Sequence, residues 1–391
     1  MLFHKKILHH GGLKIQLNPP FSLVCLQKIY IPEVFPGIFL IATTAVAYTR
    51  KRKIEMWPTI KIENVEIKYQ NKAKYLGLTM DKGLTWKDHI QEITNKASKR
   101  VGILKYFANK DKNIPQKYLI TLYKTLVRPI IEYGSEIWGD IAKYNQVKLD
   151  SIQHRSLTSA LGVNRLAHRK DVNYEAKVLP LEFRREQQLF KMWQRKKDTL
   201  LGKFLKNLKN KNRLKYDRRK SYIERLKELN NSIEKLKSVN IWEMGIKEFQ
   251  IIILEKWYKK LIEEEENIRN KGINYKILKN LKYEPISNNR EVNAKWHQTR
   301  LEVLSLKGFL KSINKSKSSK CRKCKRRETI NHFLTKCKKY EAIWEDDLRK
   351  KKKAKLNEYL NETKPRLIKR KIALKIIECF KRVRKKKKIN C

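Results

Sequence analysis

The chain has 391 residues, of which 41% are apolar, so it is long enough for two or three domains and can bury a core in at least one of them. This composition excludes a wholly disordered tail. Lysine and arginine number 93 against 39 acidic residues, and the formal net charge of +54 is spread along the whole chain. The excess favours a polyanionic partner, with nucleic acid ahead of an anionic membrane surface, and no feature predicts a small-molecule substrate.

The lysine content has a second explanation, because a genome that favours lysine, isoleucine and asparagine codons raises the charge without any function. It accounts poorly for the basic runs at residues 350–355 and 381–388. Such runs are typical of solvated segments, phosphate-binding tails or nuclear-import signals. We therefore expect a nuclear location, with the cytoplasm as the alternative.

The first 48 residues show no persistent period and are interrupted by glycine and proline, which predicts loops and short strands. The apolar run at residues 29–48 contains Pro32, Glu33 and Pro36, so it is a poor candidate for a membrane span. A membrane partner is disfavoured. A buried strand pair or a frameshifted stretch explains this run better.

Alternating apolar residues after Pro58 predict a β-hairpin that turns at Glu63 and Asn64, followed by a third strand at residues 74–80. Helix is predicted from Trp86 onward. Thr85 and Asp88 stand at the positions of a capping box at its start.

Helical periodicity dominates the rest of the chain. Pro115 is placed to begin a second helix, and residues 147–161, closed by Gly162, form a third. Ser221 and Glu224 have the spacing of another capping box. The predicted fold class is α+β and mostly α: a small antiparallel hairpin or sheet, a helical domain, a long basic helical region and a small zinc knuckle.

Four residues form the sharpest motif in the sequence: Cys321, Cys324, His332 and Cys337, in a C-x2-C-x7-H-x4-C arrangement. Three thiolates and one imidazole close a tetrahedron around Zn²⁺ and leave no position for water, so the predicted zinc is structural. The alternative is that free cysteines fell at this spacing by chance. Six cysteines, unevenly spread, favour a reducing compartment over a disulfide framework.

Basic residues crowd the same segment. We expect them to bind phosphate groups of RNA or DNA, and they are Lys323, Lys325, Arg326, Arg327 and Lys336. Phe333 and Tyr340 are open to two interpretations, as platforms for unstacked bases or as members of a small core.

Several further motifs occur in a fixed order. They are TRKRKIEMWPTIKIENVEI from Thr49, KYLGLTMDKGLTWKDHI from Lys74, ILKYF from Ile103, LYKTLVRPIIEYGSEIWG from Leu122, KLDSIQHRSL from Lys148 and ETINHFLTKC from Glu328. In these motifs the chain resembles the part of non-LTR, jockey-like retrotransposon reverse transcriptases that follows the polymerase active site. Members of that family commonly end in a CCHC zinc knuckle.

The resemblance implies roles that periodicity does not. Tyr75, Leu76 and Gly77 match the hairpin that positions the growing DNA end, although the residues alone fit ordinary strand and turn equally well. The family's catalytic aspartates bind two Mg²⁺ ions and lie before the part matched here, and no aromatic-x-Asp-Asp turn precedes Tyr75. We therefore assign no catalytic residue and expect Mg²⁺ only if another chain supplies a complete palm.

The resemblance also divides the chain. The predicted segments are residues 1–48, of uncertain reading frame; 49–84, the end of the palm; 85–200, the helical thumb and connection; 201–300, a basic helical region; 301–345, the CCHC knuckle; and 346–391, a basic tail. The favoured function is a truncated reverse transcriptase that binds RNA or DNA without synthesising DNA alone. Its partners would include the missing polymerase half or other retroelement proteins. The alternative is a host-used zinc-knuckle protein of retroelement ancestry.

Overall fold

The computed structural model describes residues 68–207, 220–264, 281–344, 360–361 and 364–389, together with six short strands before residue 68. The chain divides into two compact units. The first is Met1–Asn95 with Ile141–Gln146, and the second is Lys96–Asp140 with Val147–Cys391. The six predicted segments are not tested by this division and stay a prediction.

The strands of the first unit form antiparallel hairpins. The pairs are β1 (Ile7–His10) with β2 (Leu13–Gln16), β3 (Val24–Tyr30) with β4 (Ile41–Ala47), β5 (Ile60–Ile62) with β6 (Val65–Ile67), and β7 (Lys72–Tyr75) with β8 (Leu78–Asp81). The end of β3 and all of β4 lie in the apolar run at residues 29–48 and pair with each other, as the strand-pair alternative predicts. The β5–β6 hairpin is the predicted one, and its turn at Glu63 and Asn64 lies outside the described residues.

The predicted third strand at residues 74–80 is wrong, because the chain reverses there. Tyr75 pairs with Leu78 across a two-residue turn in which Leu76 has φ of 45° and Gly77 has φ of 80°. Positive φ at both central positions is the geometry of a type I′ turn, whose twist matches that of the flanking strands. Glycine supplies the left-handed conformation at the second position without strain.

The helix predicted after Trp86 is α1 (Lys87–Phe107), but the predicted capping box is not what fixes its start. The carboxylate of Asp81 accepts hydrogen bonds from the backbone N–H of Thr85 at 3.1 Å and of Trp86 at 2.9 Å. Asp88 instead forms an ion pair with Lys72, with 3.3 Å between the charged atoms. Asp81 lies at the end of β8, so the strand and the helix are joined by one carboxylate.

The second unit is helical, and the prediction of an α+β, mostly α, fold is confirmed. Its helices are α2 (Gln116–Leu122), α3 (Arg128–Glu132), α4 (Ser135–Trp138), α5 (Lys143–Leu161, which starts in the first unit), α6 (Arg169–Glu175), α7 (Leu181–Lys196), α8 (Leu200–Asn207), α9 (Tyr222–Lys237), α10 (Ile246–Glu264), α11 (Arg290–Arg300), α12 (Lys307–Ser312), α13 (Glu341–Trp344) and α14 (Arg366–Ile389). A π-helical turn, Tyr123–Val127, joins α2 to α3. None of the helices in the described parts of the chain has the length and apolar character needed to cross a membrane.

Two hydrophobic clusters of the second unit pack several of these helices together. The first is formed by α7, α9 and α10, where the rings of Phe190 and Phe249 stack with centroids 3.9 Å apart. The second joins α11 and α14 to the cysteine cluster, because Ile372, Ile376 and Cys379 of α14 are buried with Cys321. The part of the predicted basic tail that forms α14 is thus a packed helix.

Candidate metal centre

The first two cysteines lie on a tight reversal of the chain. Lys320 and Arg327 pair as an isolated antiparallel bridge, and the backbone N–H of Cys321 donates to the carbonyl oxygen of Arg326 at 2.7 Å. The N–H of Lys325 returns to the carbonyl oxygen of Cys321 at 2.9 Å. Lys325 adopts φ of 60°, the left-handed conformation that turns the chain back after Cys324. The segment from Lys320 to Arg327 therefore forms a compact turn that carries the two thiols of the C-x2-C motif; we call this turn the cysteine clip.

The other two candidate ligands come from a π-helical turn, His332–Lys336, followed by Cys337 in extended conformation. A π turn closes i to i+5 hydrogen bonds, whereas an α-helix would carry two residues five apart to different faces. His332 and Cys337 are five apart, so the π turn accounts for how an H-x4-C spacing serves one site. The sequence predicted a single helical turn here and did not distinguish its type.

The four side chains converge. One ligand atom from each of Cys321, Cys324, His332 and Cys337 lies within 4.8 Å of all the others. The Sγ atom of Cys337 is 3.7 Å from that of Cys321 and 3.9 Å from that of Cys324. A Zn–S bond of roughly 2.3 Å separates two sulfurs of a tetrahedron by about 3.8 Å, whereas a disulfide needs about 2.05 Å. The spacing fits a tetrahedral metal ion and excludes disulfides.

Because two of the cysteine side chains of the cluster are buried and the third is partly buried, their ionised forms require a compensating positive charge. Burial raises the pKa of the Cys337 thiol to about 12, and its neighbours Cys321 and Cys324 add to that rise. Burial also acts to raise the pKa of Cys324, but backbone N–H groups of Lys338 and Lys339 and the neighbouring thiols outweigh it and leave that pKa lowered. Three thiolates in contact repel one another, so full ionisation requires a bound cation. The residues present fit zinc.

A basic surface surrounds the cluster. Between Ser319 and Tyr340 the sequence has nine lysines and arginines and one acidic residue, Glu328, which is buried. All five residues predicted to bind phosphate are exposed: Lys323, Lys325, Arg326, Arg327 and Lys336. The arrangement presents cations to solvent on a folded module, which is the electrostatic requirement for contacting a nucleic-acid backbone.

Phe333 and Tyr340 are core residues. Phe333 is fully buried and Tyr340 is 7% exposed, with ring centroids 4.9 Å apart in an edge-to-face arrangement. Phe333 also approaches Phe380 of α14, at 6.2 Å between centroids. The interpretation of these two rings as base-stacking platforms is wrong, because neither face is open to a base.

Comparison with curated proteins finds retrotransposon polymerases. Over 136 residues, 35% of this chain, the sequence is 31% identical to a probable RNA-directed DNA polymerase from transposon BS of Drosophila melanogaster, and the match covers 15% of that protein. It is 28% identical over 119 residues to a probable RNA-directed DNA polymerase from transposon X-element, and 24% identical over 121 residues to the RNA-directed DNA polymerase from mobile element jockey, both of the same species. Each of these matches covers 13% of the relative.

The resemblance to retrotransposon reverse transcriptases is confirmed. It extends over about a third of this chain and spans only 13% to 15% of the length of these relatives. No protein-family model matches the chain, and no solved structure matches it.

The residues that resemble the reverse-transcriptase primer-positioning hairpin lie at the tip of the β7–β8 hairpin. Tyr75 is 46% exposed and Leu76 is 72% exposed, and Gly77 completes the turn. Exposed apolar side chains at a hairpin tip are available for contact. This hairpin belongs to the first unit and the cysteine cluster to the second.

Two parts of the metal centre were missed from the sequence. Glu328 supports the clip: its N–H donates to the carbonyl oxygen of Ser319 at 2.9 Å, and its carboxylate accepts the N–H of Lys307 at 2.9 Å. Helix α14 covers the cluster with apolar side chains. Neither its residue type nor its spacing identifies Glu328 as a residue that supports the metal centre. The apolar period of α14 shows that one face of the helix is buried, but it does not show which part of the chain that face packs against.

Proposed function

We propose that this chain is the nucleic-acid-binding, C-terminal part of a retrotransposon RNA-directed DNA polymerase, comprising the end of the palm, the thumb and a CCHC zinc knuckle. It binds RNA or DNA through basic side chains on a zinc-stabilised module, and the palm carboxylates that hold Mg²⁺ in such polymerases are not assigned to any residue of this sequence. Other retroelement proteins are its expected protein partners, and the nucleus its expected location.

One observation carries the proposal: four converging zinc-type ligands surrounded by exposed cations. The ligand atoms lie within 4.8 Å of one another in a segment with nine basic residues and one acidic residue. The similarity to RNA-directed DNA polymerases supports the same conclusion, since those proteins act on nucleic acids by name. Zinc in this site supplies folding free energy rather than chemistry, because all four positions around it are taken.

Binding of labelled single-stranded RNA and DNA to the full chain across a salt series tests the proposal. The affinity should fall steeply with salt, by a slope of about 0.7 in log K per log [salt] for each phosphate contact on a single strand. Cys321→Ser and Cys337→Ser should both release zinc and weaken binding. Cys379→Ala is the matched control, because Cys379 lies in the same core and is not among the four ligands. Unchanged affinity in both serine variants would refute the role of the knuckle.

A further inference from the structure

A cavity in the second unit is separate from the cysteine cluster. It has a volume of about 540 Å³, within the range of roughly 300–1,000 Å³ typical of small-molecule sites. Three parts of the chain line it: the end of α1 with the loop after it, the end of α5, and the first turns of α11. None of the four candidate metal ligands lines this cavity, and the similarity to polymerases gives the cavity no function.

The lining is strongly cationic. Lys105, Lys110, Arg290 and Lys295 contribute positive charge, and Glu291 is the one acidic residue among the lining residues. The remaining polar lining residues are uncharged hydroxyls and amides. An excess of three positive charges in one concave site favours an anionic occupant.

Arg290 is the decisive residue. It is 6% exposed, and among the residues that the structure describes its guanidinium donates one hydrogen bond, from Nη2 to the carbonyl oxygen of Ser159 at 3.2 Å. Within the described residues, Nε and Nη1 have no hydrogen-bond partner. Burial lowers the pKa of Arg290. A buried, unpaired guanidinium is destabilising in the free protein, which an anionic ligand would relieve.

The position of Arg290 is fixed by neighbours that do not use its charge. The side chain of Asn289 caps α11 by accepting the N–H of Glu291 at 2.8 Å. The carbonyl oxygen of Arg290 accepts from Nε2 of Gln116 at 2.9 Å, and Asn293 donates to Oε1 of the same glutamine at 3.1 Å. These bonds hold the backbone of Arg290 in place, and the hydrogen bond from Nη2 to Ser159 holds the guanidinium beside the cavity before any ligand binds.

We propose that this cavity binds a phosphate group of a nucleic-acid strand, with Arg290 as its buried anchor and Lys105 and Lys110 at its exposed side. A guanidinium fits phosphate because its planar N–H groups match two oxygens at once. The inference rests on the proposed function for the source of the phosphate. The cavity itself would also accept a free phosphate or a nucleoside monophosphate.

Thermal unfolding of the full zinc-loaded chain tests the anchor, in sodium phosphate, uridine monophosphate and sodium chloride at matched ionic strength. Phosphate should raise the Tm of the wild-type chain above its value in chloride. In Arg290→Met that phosphate shift should disappear, while the Tm in chloride stays the same or rises, because an apolar side chain replaces a buried unpaired cation. A Tm that falls equally in all buffers would show that Arg290 is only structural and would overturn the proposal.

Lys105→Ala with Lys110→Ala provides a second test that does not disturb the interior, since both side chains are exposed. This double variant should lose most of the phosphate shift and lower the affinity for a labelled oligouridylate severalfold. Lys117→Ala is the matched control: it is an exposed lysine of α2 that does not line the cavity. An oligouridylate affinity equal to that of Lys117→Ala would overturn the assignment to a nucleic-acid strand even if free phosphate binds.

The two proposals fail in distinguishable ways. If the wild-type chain binds no oligonucleotide, the proposed function fails whatever phosphate does. If it binds oligonucleotide and Arg290→Met matches wild type in both assays, only the cavity assignment fails.

Discussion

Lys325 combines two roles that a substitution can separate. Its backbone adopts φ of 60° in the cysteine clip, and its side chain is exposed among the predicted phosphate-binding residues. A left-handed conformation costs a non-glycine residue about 1–2 kcal/mol, and glycine removes that cost. The charge and the turn are therefore independent contributions at one position.

Lys325→Gly should keep or strengthen zinc affinity while it reduces nucleic-acid affinity and lowers the salt slope by about 0.7–0.9. Competition with a chromophoric chelator measures the zinc affinity, and the salt series measures the slope. Lys323→Gly is the control, since it removes the same charge where φ is not positive and should weaken the clip. Loss of zinc in Lys325→Gly alone would contradict the account.

Glu175 is the centre of a buried ionic network between α6 and α11. Its carboxylate lies 2.6 Å from Nε of Arg300 and 2.7 Å from Nδ1 of His297, and Tyr283 bonds to the far nitrogen of that histidine at 2.8 Å. Burial acts to raise the pKa of Glu175, but Arg300 and His297 outweigh burial and hold it far below its ordinary range. Arg300 also donates to the carbonyl oxygen of Leu360.

Glu175→Gln should destabilise the chain by about 3–5 kcal/mol, because it leaves Arg300 buried without its counter-charge. Glu182→Gln is the control, since its ion pair with Lys260 is exposed and contributes about 0–1 kcal/mol. Urea unfolding of the zinc-loaded chain measures both. A similar loss in the two variants would contradict the importance of burial.

The same network sets a pH dependence. A carboxyl with a depressed folded pKa contributes stability that is complete above its unfolded pKa of about 4.5 and is lost as pH falls towards the folded value. The wild-type chain should therefore lose stability progressively below that pH. The stability of Glu175→Gln should depend less on pH in this range.

At the scale of elements, two helix starts show when a local sequence motif is enough to predict the hydrogen bonds that cap a helix. The capping box predicted at Ser221 forms: its hydroxyl accepts the N–H of Glu224, and the Glu224 carboxylate accepts the N–H of Ser221 at 2.7 Å. At Thr85 the carboxylate of Asp81, from the preceding strand, accepts the N–H that Asp88 would take in the predicted box, and the Thr85 hydroxyl accepts the N–H of Lys87 at 3.4 Å. A local motif predicts the cap only where no carboxylate from another element competes for the same donors.

Helix α12 supports the metal centre through a glycine. The N–H of Gly308 donates to the carbonyl oxygen of Glu328 at 3.2 Å, and a Cβ at Gly308 would lie only 2.7 Å from that oxygen. The backbone there belongs to the segment that closes the cysteine clip. A side chain at position 308 would therefore push α12 and the clip apart.

Gly308→Ala should lower zinc affinity and stability with all four ligands intact, which chelator competition and thermal unfolding can measure. Gly102→Ala is the matched control, because Gly102 lies inside α1 and its Cβ would meet no atom within 4 Å. That control should stabilise the helix by up to about 1 kcal/mol. Equal effects of the two substitutions would show that the close contact at Gly308 is not limiting.

At the scale of the whole molecule, sequence separation decides what could be predicted. The four metal ligands lie within 17 consecutive residues, and their types and spacing sufficed to predict that they converge. The cavity beside Arg290 is lined by α1, α5 and α11, and Gln116 bonds to the backbone of Arg290 across 174 positions. No periodicity or motif connects residues so far apart. An unpaired buried arginine is visible only after folding.

The zinc centre can be tested by X-ray absorption at the zinc edge, on the full chain loaded with one equivalent of zinc and freed of excess metal. We expect one retained zinc with three sulfur neighbours at about 2.3 Å and one nitrogen at about 2.0–2.1 Å. Zinc lost on gel filtration, or a shell of oxygen and nitrogen without sulfur, would contradict it.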